Sequence, residues 1–257
     1  MDIDLNADLG EGFGPWRMGH DEALLSVLSS ANIACGFHAG DPSIMVHTVR
    51  TAKARGVDVG AHVGYDDKQG FGRRAIPMEL HELKAMVTYQ LGALAAIAKA
   101  EGTRMTHMSF HGALGNQVAA SRELADALIA SVAAVDPELI VSTSSSVAIE
   151  SAAARCGLRA AVSFLADRAY DDDGLLVPRK LPNSVIHDEL LVLDRVKRLL
   201  QEGVVETYSG RTLAMQPRSI LVHGDTPGAL NLARAVREAI EAAGGRVRPL
   251  SQQMLDH

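Results

Sequence analysis

The sequence predicts an α/β fold, a seven-stranded parallel β/α barrel with its functional residues at the C-terminal ends of the strands. Three observations carry this. Short apolar runs alternate with amphipathic helical stretches along the chain, and no Pro/Ser-rich linker interrupts them. A polar turn rich in Gly, His and Asp follows nearly every run. In an open doubly wound sheet such turns would gather at one switch point, whereas a barrel brings every strand end to one mouth. The 257 residues are expected to form one domain over 1–257, a common size for a single β/α barrel.

Seven runs are predicted as strands. They are 3–5 leading into DLGEG, 33–35 into GFHAGD, 57–61 into HVGYDD, 105–110 into HGALGN, 139–141 into STSSS, 160–165 into ADRAY, and 220–222 into HGDTPG. Alternating aspartates fray the first. A helix is predicted over 78–100, where Leu80, Leu83, Val87, Leu91, Leu94 and Ile97 share one face at three- and four-residue spacing. Asp41-Pro42 supplies a capping acceptor followed by proline at the first helical position, and Thr226-Pro227 repeats the device. Helices over 185–200 and 229–243 are expected to stop at Gly203 and at Gly244-Gly245.

Hydrophobic residues make up 47% of the chain but aromatics only 4%, so the core must be built from Ala, Val, Leu and Ile. A net charge of −6 without a Lys/Arg-rich run argues against a nucleic-acid surface. No apolar stretch approaches the roughly 18 residues that span a bilayer. The acidic start Met1-Asp2-Ile3-Asp4 is unlike a signal peptide, and nothing suggests that Cys35 and Cys156 pair. A cytoplasmic protein is expected.

Four of the ten histidines, His38, His62, His111 and His223, close predicted strands with a glycine one or two residues onward. Any one of them could simply cap a helix or bond a loop carbonyl. A barrel would turn all four into one mouth. Carboxylates follow the same geography, with Asp4, Asp8 and Glu11 on or after the first strand, Asp66 and Asp67 after the third, Asp167 after the sixth and Asp225 after the seventh. Asp41 and Asp225 have helix capping as an alternative; Asp8 and Asp167 do not. Histidine with carboxylate serves both acid–base catalysis and metal binding. No one-helix zinc motif is visible, so a metal site would have to be assembled from separate strands. Cys35 reads as core packing more than as a nucleophile served by His38. DLGEGFG lacks phosphate-loop spacing, and no dinucleotide fingerprint occurs.

These motifs together resemble the LamB/YcsF family. They are DLNADLGEGFG (4–14), ANIACGFHAGDP (31–42), GAHVGY with GFGRR (60–74), HGALGN (111–116), ADRAY (166–170) and HGDTP (223–227). The resemblance implies a seven-stranded barrel similar to the glycoside hydrolase/deacetylase superfamily. It also implies a role as the A subunit of ATP-dependent 5-oxoprolinase, opening 5-oxo-L-proline to L-glutamate with subunits B and C. The chain departs from the family pattern at several places. Ser109-Phe110 stand where the family has Lys-Pro, Gly115 replaces a tyrosine, and Val63 a proline. Ser163 replaces a glutamate and Leu165 a phenylalanine. A lysine and a glutamate lost from pocket-facing strand ends imply a paralogue with an altered substrate, or one whose activity has drifted.

The expected function is therefore hydrolysis of a cyclic amide, with ATP as co-substrate handled with the partner subunits and a divalent metal allowed by the donors. Asp8, His38, His62 and His111 are expected to be catalytic. Glu11, Asn32, Arg73, Asn116, Asp167, Arg168, His223 and Asp225 are expected to bind substrate, with Arg73 or Arg168 holding its carboxylate. Rival readings are a metal-dependent deacetylase of a sugar amide and a non-catalytic substrate-binding subunit.

Overall fold

The computed structural model describes residues 1–224 and 228–253. In chain order the barrel strands are β1 (Asp2–Leu9), β2 (Ser30–Ala34), β3 (Asp58–Val63), β4 (Met105–Phe110), β5 (Ile140–Thr143) and β6 (Arg159–Leu165). An antiparallel hairpin, β7 (Val204–Glu206) with β8 (Thr212–Ala214), comes next. Then β9 (Ser219–Val222) pairs with both β6 and β1 and closes a parallel barrel of seven strands. A short β10 (Arg246–Val247) extends the sheet beside the start of β1.

The seven barrel strands are the seven predicted from sequence. The first differs most. It runs to Leu9, because the polar residues that seemed to fray it occupy one face of a regular strand. Ile3, Leu5, Ala7 and Leu9 lie in the main apolar core, while Asp4, Asn6 and Asp8 alternate with them, all buried. Ser29 and Ser219 donate to Asp4, and Asn6 donates to Asn32. The barrel's interior is thus a column of paired polar groups that leads up to the site.

The helices are α1 (Asp21–Leu24), α2 (Pro42–Ala54), α3 (Leu80–Ala100), α4 (Gly112–Ala120), α5 (Arg122–Val135), α6 (Val147–Arg155), α7 (Glu189–Glu202), α8 (Ala229–Ala242) and α9 (Leu250–Gln253). Asp41 caps α2 as expected, accepting from Ser43 N and Ile44 N at 2.8 and 2.9 Å. On α3, Leu83, Val87, Leu91 and Leu94 are buried and Leu80 and Ile97 half-buried. Buried Gln90 turns from the same helix to bond both N and O of Gly64, fixing the loop after β3.

The helix expected over 185–200 begins instead at Glu189, because Asp188 caps it and Ile186 N is held by Asp167 O. It ends as predicted at Gly203, in the left-handed conformation. Helix α8 matches its predicted span to one residue. The Thr226-Pro227 start lies outside the described residues.

Candidate active site

The C-terminal strand ends open into a cavity of about 510 Å³. Asp8 at the end of β1, His62 from β3, His111 after β4 and His223 after β9 line it, together with Arg73, Ser109, Asn116, Ser163 and Arg168.

Asp8 is 6% exposed, and burial alone would raise its pKa. The His62 ring, whose Nε2 lies 3.4 Å from Asp8 Oδ2, together with His223 and an Asn32 amide bond of 2.9 Å, outweighs that cost. The carboxyl is held well below the usual carboxylate range. It stands in the cavity as an anion.

His62 is bonded on both sides. Its Nδ1 lies 2.7 Å from Ser109 Oγ and its Nε2 2.9 Å from His111 Nδ1. His111 Nε2 lies 2.7 Å from the carbonyl of Phe71. A carbonyl only accepts, so the His111 hydrogen sits on Nε2, and its Nδ1 lone pair faces His62. Burial, then the His62 ring, push His111 down to about 3, so this ring is neutral.

His38 stacks on His111 with ring centroids 3.8 Å apart, and its Nε2 is 3.5 Å from Glu11 Oε1. Burial, then His111 and His62, hold it well below the ordinary histidine value. The GFGRR motif explains how the stack fits. Gly72 has φ +61, and a Cβ there would sit 2.7 Å from His38 Cβ and 2.8 Å from His111 Cδ2. Glu11, His38, His62 and His111 present donor atoms within 4.8 Å of one another, a set able to hold a divalent ion.

On the other side, His223 Nδ1 lies 2.7 and 2.9 Å from the two Asp167 oxygens, so Asp167 holds this ring from behind the cavity wall. Burial opposes the charge on both, but each partner offsets it, lowering Asp167 and raising His223. Arg168 lines the cavity yet spends its guanidinium on the carbonyls of Ser184 and Val177; burial, then Arg179, lower it to about 10. Asn32 also lies behind the wall. Its Oδ1 faces His107 Nε2 at 3.1 Å, and its amide orients Asp8. Asp225 lies outside the described residues. Cys35 is buried with its thiol pushed up to about 12 by burial, which suits packing and not nucleophilic chemistry.

Sequence reasoning passed over His107, Arg179 and Lys180. His107 sits within the predicted strand over 105–110, ahead of the polar turn, where nothing in the sequence singles it out. Arg179 and Lys180 line the cavity from the long segment between β6 and α7. Arg179 Nη2 approaches His223 Nε2 at 3.3 Å. The length of that segment, on the functional side of a barrel, was the available signal.

Fold and site together define a β/α-barrel protein with a buried histidine–carboxylate centre at the mouth of its strands. The chain belongs to the LamB/YcsF family, whose pattern matches residues 3–255. It is 66% identical over 254 residues to a Ralstonia nicotianae protein named as a 5-oxoprolinase A subunit, covering 99% of this chain and 98% of that one. It is 62% identical to a 5-oxoprolinase A subunit of Pseudomonas syringae pv. tomato, covering 98% of each. The crystal structure of a lactam utilization protein from Thermus thermophilus superposes with a TM-score of 0.90 at 43% identity, over 97% of this chain and all of that one. Among the described residues no helix is long and apolar enough to cross a membrane.

Proposed function

We propose that this chain is the A subunit of a 5-oxoprolinase and opens the lactam of 5-oxo-L-proline to L-glutamate, coupled to ATP hydrolysis in a complex with subunits B and C. One juxtaposition carries the reading. A single cavity is lined at once by the Asp8–His62–His111 centre and by the cations Arg73, Arg179 and Lys180. A cyclic amide that bears a carboxylate needs both: cations to hold the carboxylate, and a proton-transfer centre at the amide. The names of the relatives support the same substrate.

Ionised Asp8 is the group suited to accept a proton from attacking water, with Asn32 fixing its orientation. His62 and His111 line the cavity beside Asp8, at the edge where the amide would sit. Arg168 gives its guanidinium to backbone carbonyls, and Arg73 and Arg179, which line the same cavity, are assigned to the carboxylate. A five-membered lactam is a stable amide, so coupling to ATP is chemically reasonable. The nucleotide is assigned to the complex as a whole, because this sequence carries no phosphate loop. The two unpaired cysteines agree with a cytoplasmic location.

The test is glutamate release from 5-oxoproline and ATP, by the chain alone and with its cognate subunits. Release that requires all three subunits is expected. A fully assembled complex that releases none would overturn the reading.

A further inference from the structure

Three imidazoles and a carboxylate converge at one buried point, although they come from four separate stretches of chain. The donor atoms of Glu11, His38, His62 and His111 lie within 4.8 Å of one another, and all four residues are buried. His38 is only 1% exposed, and among the described residues neither of its ring nitrogens has a hydrogen-bond partner. A buried polar group left so is costly, and a native fold keeps one only for a reason.

The surrounding chain is shaped to admit that ring. A Cβ at Gly64 would lie 2.8 Å from His38 Nδ1, and one at Gly72 2.7 Å from His38 Cβ. The other two rings are held from outside. His111 Nε2 is bonded to the Phe71 carbonyl and His62 Nδ1 to Ser109 Oγ, each at 2.7 Å. Outer bonds of this kind orient metal-binding imidazoles, and each leaves the opposite nitrogen directed at the cluster. Those inner nitrogens, His62 Nε2 and His111 Nδ1, face each other at 2.9 Å, with Glu11 Oε1 3.5 Å from His38 Nε2.

We infer that Glu11, His38, His62 and His111 form a binding site for one divalent transition-metal ion of the zinc class. Imidazoles with a single carboxylate suit zinc and its first-row neighbours, whereas magnesium and calcium prefer oxygen ligands throughout. An ion there satisfies His38, which the protein alone does not. His62 and His111 also line the cavity, so the ion lies at the edge of the substrate space. The inference does not depend on which amide is the substrate.

The full-length chain, stripped with chelator and then incubated with Zn²⁺ or Co²⁺ and desalted, should retain one ion per chain by elemental analysis. The Co²⁺ form should show visible ligand-field absorption. His38→Ala and Glu11→Gln should each weaken retention at least tenfold, while His47→Ala, an exposed histidine on α2, should change nothing. Since a cluster variant could fail to fold, the unaltered chain is also melted against rising Zn²⁺ and Mg²⁺, and only Zn²⁺ should raise its Tm. No stoichiometric ion on the unaltered chain, or a folded His38→Ala chain that binds it equally well, overturns the site. These readouts involve no substrate. A metal-bound chain whose complex releases no glutamate counts against the lactam reading alone, and a chain that retains no ion although its complex releases glutamate counts against the metal site alone.

Discussion

Ser109 Oγ lies 2.7 Å from Nδ1 of His62, and the two residues face each other in register across β4 and β3. A second serine, Ser163 on β6, bonds Ser142 at 2.8 Å, and both Ser109 and Ser163 line the cavity. The resemblance to the family implies a lysine and a glutamate at these two positions. Opposite charges in one partly dry cavity would pair with each other or with substrate. Losing only one would leave the other charge without its partner, which is costly; losing both avoids that. The hydroxyl at 109 instead orients His62 without adding charge.

The first prediction follows. The complex should turn over 5-oxoproline more slowly than relatives that carry lysine and glutamate there, and should also accept a related lactam or amide that lacks one polar group. Ser109→Lys combined with Ser163→Glu should shift the ratio of kcat/KM values back towards 5-oxoproline. If the unaltered complex matches relatives that carry lysine and glutamate, both serines are neutral variation.

The second concerns the acid–base centre. Asp8→Asn keeps size and can still accept the Asn32 amide bond, but removes the anion. Turnover in the assembled complex should fall at least about a hundredfold, with little change in Tm. His62→Ala and His111→Ala should lose as much turnover but also stability, since both rings are buried and bonded. Near-normal turnover in all three variants would show that the chemistry lies elsewhere.

The strands were legible because each carries an apolar face that must be buried against helices. Even β1 betrayed itself once its aspartates were understood as the inward face of a polar-lined barrel. The hairpin β7–β8 was not legible, as its strands are only three residues long. Of the site, the histidines stood out by their following glycines. Their convergence with Glu11 did not, because ligands from four segments leave no spacing to read. Asp167 follows a predicted strand and Asn32 lies midway along β2, but no spacing in the sequence says that they hold His223 and Asp8 from behind.

The third prediction tests that supporting layer. A Cβ at Gly60 would lie 2.2 Å from His107 Nε2, the atom that meets Asn32 Oδ1. His107 is fully buried and also bonded to Thr106 at Nδ1, so it has little room to move. Gly60→Ala should cost about 1–3 kcal/mol by overpacking. It should also lower kcat, because the displaced His107 disturbs Asn32 and through it Asp8. Urea melts and steady-state rates check the two effects together; an unchanged melt shows that the ring yields freely.

The last prediction is a pH dependence set at the far end of the barrel. Asp4 is fully buried, and burial raises its pKa to about 6 despite bonds from Ser219 and Ser29. Between the unfolded value of 3.8 and about 6 the folded chain therefore holds a proton that the unfolded chain has released. Stability from this group is full below that window and falls as pH rises through it, by about 3 kcal/mol in all. His107 and His111, pushed down to about 4 and about 3 mainly by burial, act oppositely, since the unfolded chain binds their protons first. Their contribution is lost as pH falls below the ordinary histidine value, which masks Asp4 in the unaltered protein. Asp4→Asn removes only the carboxyl, while its amide can still bond the serines. The stability of Asp4→Asn relative to the unaltered chain, from urea melts at several pH values, should rise by roughly 2–3 kcal/mol from pH 4 to pH 7. A difference that stays flat across that range would mean that Asp4 ionises at no cost inside the barrel.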